Sequence, residues 1–401
     1  TINLASGASQ SGFGRTGTVD WITTPKTATF TAVSGEGYFC NTSGGAFTVN
    51  LPAGVAGAIV SLADYAATWQ TSNVTVSPNG TDKIGSLNQN AVLSTEGQSV
   101  TFVFVDSTQG WINTMDSTSN VRGVPPFIVA TGGTITTVDT NFKVHTFTGP
   151  GTFTVTNAGA AAGSETVSYM VVAGGGGAGY YYGGAGGAGG FRESKAATDT
   201  YTASPLNATS GPTYNLPVSV QGYPITVGAG GPSNPASSPP NVAPNGSNSV
   251  FSTITSTGGG GGSGGNGPGY DANPGGSGGG AGGSSAGCGG TGNTPPVSPA
   301  QGNNGEATGG NYGAGGGGAT QAGGGAGTRI GGAGATTSIN GTPTAFAGGG
   351  GGSNPNQPGG IGGGGFGGGT AGTVNTGGGQ GGCASANGGG SGIVMIRYKF
   401  Q

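Results

Sequence analysis

The sequence predicts an all-β protein with little or no α-helix: an N-terminal β-sandwich-like module, a small β unit, and a bundle of polyglycine II helices. Short runs of β-branched and aromatic residues end at Gly, Pro, Asn or Ser, as strands do. No segment has an apolar repeat with the 3.6-residue period of a helix. Most of the 99 glycines lie between Gly174 and Gly392. We therefore divide the chain into residues 1–122, 123–173, 174–392 and 393–401.

The first 122 residues alternate predicted strands with turns such as Asn79-Gly80. The predicted strands are 29–33, 38–41, 46–51, 58–62, 74–76, 99–105 and 110–114. The linker 121–126, with Gly123 and the pair Pro125 and Pro126, marks the boundary with the next unit.

The second unit contributes the predicted strands 127–131, 134–138, 143–148, 151–156 and 166–173. The last of these runs directly into the glycine-rich segment, and the apolar strand 393–398 leaves it at the far end. We expect these two strands to pair at the base of the glycine-rich domain.

Glycine tracts recur through residues 174–392, and the tract 183–190 reads Gly-Gly-Ala with a period of three. Three residues per turn is the period of the extended polyproline II type helix, which makes no internal hydrogen bonds. Packed side by side, such helices satisfy each other's backbone groups, and a Cβ would hold them apart. A flexible glycine linker is the alternative. The turn-like interruptions between tracts and the apolar closing strand favour an ordered bundle.

The composition weighs against several function classes. A net charge of -3 with 6% charged residues gives no basic surface for nucleic acid. The acidic residues of the glycine-rich segment, Glu193, Asp199, Asp271 and Glu306, are scattered among different loops, so no catalytic carboxylate pair is indicated. We predict no enzyme activity, no catalytic residues, no metal site and no cofactor, and we interpret His145 as a structural strand residue.

Three cysteines, Cys40, Cys288 and Cys383, define no zinc or disulfide framework. Buried free thiols are favoured, and a pair between Cys288 and Cys383 stays open. The longest apolar stretches are far shorter than the ~20 residues of a membrane span, so no membrane insertion is expected.

Several segments in a fixed order resemble the glycine-rich domain of bacteriophage tail fibres and tail-tip adhesins. They are Val171-Val172-Ala173 before Gly174–Gly177, the run 225–231, Ser249-Val250-Phe251 before the tract from Gly258, and the ending 390–398. The run 143–153 resembles the start of that domain, and residues 37–52 and 103–111 more loosely resemble a tail-fibre β module.

This resemblance implies a protein of the virion tail, outside the cell, whose loops touch a receptor on the bacterial surface, either a protein or a glycan. It also implies contacts with other phage tail proteins, and it leaves a homotrimer and a monomer open. A scaffold without recognition is the alternative, and a glycan depolymerase is less favoured.

Counting tracts outward from the base places candidate receptor-binding loops at the distal end. We expect the tracts 174–179 and 183–190 to run outward and back, the tract 359–369 to return, and the segment 370–376 to be basal. The segment 232–247 is expected to be a long distal loop. The candidate residues are Tyr180, Tyr181, Tyr182, Tyr270, Asp271, Asn354, Asn356, Gln357, Ser385 and Asn387. The three consecutive tyrosines lead because tyrosine gives rigid, amphipathic contact area at low entropic cost.

Overall fold

The computed structural model describes residues 19–116, 126–160, 163–234, 241–265, 270–283, 287–307, 310–324, 328–383 and 387–401. Within these ranges all the regular elements are β-strands and none is a helix, which confirms the all-β fold. The chain divides into two compact units, Thr1–Pro126 and Phe127–Gln401.

The first unit holds nine strands around one core. They are β1 (Asp20–Lys26), β2 (Phe30–Thr31), β3 (Glu36–Cys40), β4 (Phe47–Asn50), β5 (Ile59–Asp64), β6 (Val74–Ser77), β7 (Ala91–Leu93), β8 (Ser99–Phe104) and β9 (Trp111–Asp116). Strands β1 and β7 are additions to the predicted set. Two sheets, β1-β3-β5-β8-β9 and β2-β4-β6-β7, enclose buried Trp69, Trp111 and Phe102.

The connections in this unit differ from those expected of a sandwich. Successive strands alternate between the two sheets, and β1, β3 and β5 pair in parallel, as do β2, β4 and β6. Each pair of strands is therefore one turn of a coil stacked on the next turn. The antiparallel strands β7, β8 and β9 complete the two sheets at one end.

The second unit holds thirteen strands. They are β10 (Ile128–Thr131), β11 (Thr134–Val138), β12 (Phe142–Phe147), β13 (Gly151–Ala158), β14 (Thr166–Val172), β15 (Phe191–Ser194), β16 (Leu216–Pro217), β17 (Gly222–Thr226), β18 (Ser249–Phe251), β19 (Ile254–Ser256), β20 (Ala335–Thr337), β21 (Thr344–Phe346) and β22 (Ile393–Lys399).

Strands β14 and β22 pair antiparallel at the centre of the sheet β11-β12-β22-β14-β15, with Val171 opposite Val394. This confirms the predicted pairing of the strands that enter and leave the glycine-rich segment. The end of the domain at this sheet is called the base below. One face packs on the sheet β10-β13-β17-β18-β19 through residues such as Phe153 and Phe251. The other face carries Met170 and Met395, which pack against Phe346.

The tract 183–190 shows how the glycine segments associate. Its amides donate in turn to three different segments and return to the first after three residues. The donors and acceptors are Gly184 to Ser263, Ala185 to Ala314, Gly186 to Gln380, Gly187 to Gly260, Ala188 to Gly317, Gly189 to Gly377 and Gly190 to Thr257. A partner that recurs every third residue is the signature of a helix with three residues per turn.

The same tract also accepts from three further segments. The donors are Ala173, Gly176 and Gly179 from the first, Ser277 and Gly280 from the second, and Gly350 from the third. Six neighbouring segments therefore surround one helix, and backbone groups hold it on every side. A Cβ on Gly187 would overlap the carbonyl oxygens of Gly278 and Ser277, so glycine is required for this spacing.

A few non-glycine side chains enter the bundle. The fully buried Gln380 accepts a hydrogen bond from the amide of Ala178 at 2.9 Å through Oε1, and its Nε2 donates to the carbonyl of Gly369 at 3.3 Å. The Gln380 side chain therefore makes hydrogen bonds of the kind that backbone groups of neighbouring glycine helices make elsewhere in the bundle.

Three details of the tract count were wrong. The segment 359–369 does not return as one tract: it reverses at Gly362 and Gly363, which both have positive φ, and its amides at Gly367 and Gly368 then reach Gln357 and Gly382. The segment 370–376 is not a basal loop, because it runs inward as a tract towards the base. It starts at Thr370, whose carbonyl accepts from the amide of Gly381. The segment 232–247 is not one distal loop, because 241–247 packs as an inward tract, with Ala243 bonded to Gly262.

All three cysteines are free, so Cys288 and Cys383 do not pair. Cys40 is buried as expected, whereas Cys288 is exposed and Cys383 is partly exposed. The expectation of buried thiols in the glycine-rich segment was therefore wrong.

Candidate functional site

The turn Tyr180–Tyr182 lies at the end of the bundle opposite the base. The tract before it and the tract after it run antiparallel, with Ala173 bonded to Gly190 beside β14 and Gly179 bonded to Gly184 beside the turn. Gly265 and Gly283, at the ends of two further outward tracts, donate to the carbonyls of the turn. Four glycine tracts therefore hold the tyrosines in place by their backbones: the two that flank the turn and the two that donate to it.

The three rings form a row. Tyr180 and Tyr181 have centroids 6.2 Å apart, and Tyr181 and Tyr182 have centroids 4.3 Å apart. Tyr181 is 45% exposed, while its two neighbours are partly buried. A hydrogen bond with Tyr182 raises the pKa of Tyr181, so its phenol is protonated at neutral pH. The row presents aromatic surface and hydroxyl groups to solvent together.

Tyr181 and Tyr182 have φ values of 43° and 45°. Bulky residues rarely adopt this left-handed conformation, which costs on the order of 1–3 kcal/mol for a non-glycine residue. In a domain with so much glycine, glycine would fill such positions without strain. Tyrosine nevertheless occupies both of these positions.

Tyr312 and Arg329 lie beside the turn, and sequence reasoning missed both. A Cβ on Gly283 would overlap backbone atoms of Tyr312, and the amide of Gly283 donates to the carbonyl of Tyr182. The guanidinium of Arg329 packs over the Tyr312 ring, 4.8 Å from its centroid. Tyr312 lies between Asn311 and Gly313, and Arg329 lies between Thr328 and Ile330, so the available signal was a large side chain within a glycine-rich segment.

Asn354 joins these residues. Arg329 Nη1 donates to its carbonyl at 2.8 Å, and Asn354 Nδ2 donates to the carbonyl of Asn311 at 2.7 Å. The preceding Ser353 donates through Oγ to the carbonyl of Gly183 at 3.2 Å. Tyr180–Tyr182, Tyr312, Arg329 and Asn354 are therefore one connected group at the distal end, which we call the tip cluster.

Of the other candidates, Asn356 and Gln357 follow Asn354 closely along the chain, and Asn387 lies on a different segment. Asn356 is exposed and lies against Gly368, and Gln357 packs its backbone between Gly352 and Gly367. Asn387 is exposed and donates through Nδ2 to the carbonyl of Gly369 at 2.9 Å. Ser385 lies outside the described residues.

Tyr270 and Asp271 form a separate pair of candidates. Oδ1 of the exposed Asp271 accepts from the amide of Cys288 at 2.8 Å, and Ala272 donates to the Cys288 carbonyl. Asp271 thus ties two neighbouring segments together. Tyr270 is partly buried beside Gly287.

Residues 146–399 match the family model of a glycine-rich domain. The chain belongs to this family. No curated protein matches the chain.

The buried charges of the glycine-rich domain lie at its base. Arg397 on β22 is fully buried, with Nε 3.0 Å from Asp199 Oδ1 and Nη2 2.8 Å from Asp139 Oδ2. Its guanidinium also lies 4.3 Å from the centroid of Phe142. Asp199 Oδ2 in turn accepts from the hydroxyl of Ser168 at 2.7 Å. The sequence placed Asp199 in a loop and did not predict its ion pair with Arg397.

Glu193 is also buried at the base, where Oε2 accepts from the amide of Ser204 at 2.9 Å and Oε1 accepts from the Thr337 hydroxyl. Burial raises the pKa of this carboxyl. Local hydrogen bonds account for both oxygens, so Glu193 serves the packing of the base.

His145 lies in β12 and is fully buried. Nδ1 lies 2.7 Å from the carbonyl oxygen of Gly132, and Nε2 lies 3.0 Å from the hydroxyl of Tyr398. The first contact requires a proton on Nδ1, which leaves Nε2 to accept from Tyr398. Burial lowers the pKa of His145, so the ring is neutral and structural in the glycine-rich domain.

In the described ranges no set of three His, Cys, Asp or Glu residues is placed to hold a metal ion. The same ranges contain no helix with the length and apolar character needed to cross a membrane.

Proposed function

We propose that this protein belongs to a phage virion tail, as a tail-fibre or tail-tip component, and binds a receptor on the bacterial surface through the tip cluster. The observation that carries the proposal is the row of three tyrosines at the distal end, two of them in a strained backbone conformation. Backbone hydrogen bonds from the glycine helices fix the turn, so the tyrosine side chains are not needed for its packing. Pre-organised aromatic groups bind at low entropic cost. The resemblance of the glycine-rich segment to tail adhesins supports the same function.

The base sheet brings the entry and exit strands of the bundle together, so the tip cluster is at the far end of the helices from them. We propose that the N-terminal unit contacts other tail proteins while the tip faces the host. A mass measurement in solution separates a monomer from a homotrimer.

The test is saturable binding of the purified, fluorescently labelled protein to candidate host cells. Replacing Tyr180, Tyr181 and Tyr182 together with Ala is expected to lower cell binding at least tenfold. A matched control replaces Val220, Ile361 and Val374, which are 65%, 62% and 68% exposed away from the tip cluster, and should bind as the parent protein does. Equal binding by the tyrosine variant would remove the tip cluster from the receptor site.

Two other results would replace the proposal. Release of glycan fragments from the cells would indicate a depolymerase. Absence of saturable binding to any susceptible host would indicate a scaffold that carries no receptor site.

A further inference from the structure

Arg329 carries a charge that no acidic side chain balances within the described ranges. The ion pairs found there both belong to Arg397 at the base. The acceptor of Arg329 Nη1 is the neutral carbonyl of Asn354, and its Nε is enclosed without an acceptor. A guanidinium in this state favours an incoming anion, which makes stronger hydrogen bonds with it than a neutral group does.

The backbone supports a functional reading of this arginine. Its φ is 53°, again in the region where glycine is unstrained. Stacking on Tyr312 and the bond to Asn354 fix the guanidinium from two sides. The strained position therefore holds the charge at one place on the distal surface.

The remaining side chains of the tip cluster fit a saccharide better than a protein surface. They are the phenol groups of the tyrosines and the side-chain amide of Asn354, which donates to the carbonyl of Asn311. Among the described residues, Tyr181 is the one well-exposed large hydrophobic residue in this cluster, and no well-exposed aliphatic residue joins it there. A stable protein interface needs about 800 Å² from each partner with an apolar centre. Aromatic faces pack on the polarised C–H groups of a sugar ring, and hydroxyl and amide groups pair with its hydroxyls.

We propose that the tip cluster binds an anionic saccharide, with the tyrosine row against the sugar and Arg329 on its carboxylate or phosphate group. This inference rests on the proposed receptor-binding function and names the chemical class of the receptor.

The probes are immobilised oligosaccharides of three kinds: uronic-acid-containing, phosphorylated, and neutral with matched backbones. The parent protein is expected to bind one or both anionic kinds at least tenfold more tightly than the neutral ones, and the two arms separate carboxylate from phosphate. Raising NaCl from about 50 to about 300 mM should weaken this binding several-fold, because salt screens exposed charges.

Variants of Arg329 test the residue itself. Arg329→Gln should lose at least tenfold in binding to the anionic probe, whereas Arg192→Gln, which makes the same charge change near the base, should bind as the parent does. Arg329→Gly relieves the positive φ, so it should unfold at an equal or higher temperature and still lose the anionic probe. That variant separates loss of binding from loss of fold.

The inference and the proposed function fail in different ways. Equal binding of neutral and anionic probes, or unchanged binding by both Arg329 variants, would overturn the anionic saccharide. Tip-dependent cell binding that disappears after protease treatment of the cells would also overturn it, in favour of a protein receptor, while leaving the receptor-binding function intact. Cell binding that ignores the tyrosine variant would remove the proposed function itself.

Discussion

Nε of Arg397 lies 3.0 Å from Oδ1 of Asp199 across the base of the glycine-rich domain, and both side chains are almost fully buried. This pair joins the closing strand β22 to the segment that follows β15, 198 residues earlier. Removing one partner of a buried pair leaves an uncompensated charge, which costs about 3–5 kcal/mol.

We therefore expect Asp199→Ala to lower the free energy of unfolding by about 3–5 kcal/mol. Asp139→Ala serves as the control, because its side chain is 47% exposed although it also pairs with Arg397; an exposed pair contributes about 0–1 kcal/mol. Chemical denaturation of the two variants measures the difference. Equal losses would show that burial does not determine the strength of this network.

Gly187→Ala should destabilise the bundle strongly, because its Cβ would overlap two carbonyl oxygens of a neighbouring helix. Overpacking of this kind costs about 1–3 kcal/mol, and more where the backbone cannot move. Gly149→Ala is the control, since open space surrounds a Cβ there. Thermal unfolding compares them, and a Gly187 variant as stable as the Gly149 variant would contradict the close packing.

Gln380→Leu should cost about 1–3 kcal/mol, because it leaves the amide of Ala178 buried without its acceptor. Gln109→Leu, at an exposed turn position, is expected to stay within about 0.5 kcal/mol of the parent protein. Urea denaturation provides both values. If Gln380→Leu leaves the free energy of unfolding unchanged, the neighbouring helices must shift so that one of their carbonyls accepts from the amide of Ala178.

Protonation of His145 should destabilise the fold below about pH 6.5. Burial lowers the pKa of His145 in the folded protein below its ordinary value of 6.5, so the unfolded chain binds this proton more readily. The contribution to stability is complete above pH 6.5 and is lost as the pH falls towards the folded pKa.

The histidine prediction has a direct measurement, because the chain contains one histidine. Its ring signals in an NMR titration report the folded pKa without assignment, and thermal unfolding between pH 7.5 and 5.5 reports the stability. A His145→Gln variant should show a flatter pH dependence in this range. A folded pKa at or above 6.5 would contradict the expected direction.

Apolar runs predicted the base well, because strands such as β14 and β22 are marked along their whole length. The reversal at Gly362 and Gly363 was missed because glycine turns back without any other residue to mark the turn. Tyr312 and Arg329 were missed for a related reason: their proximity depends on which helices are neighbours, and uniform tracts do not encode that order. The partnership of Arg397 and Asp199 likewise depends on the closure of the domain.

The pairing of β14 with β22 imposes a parity rule on variation in the bundle. Since the chain enters and leaves at the same end, helices can be added or deleted only in even numbers. Each added pair brings one more distal turn, while the helices already present keep their neighbours in the interior. The repertoire of surface-exposed turns can therefore expand stepwise by duplication of helical hairpins, with each new turn free to diverge on its own.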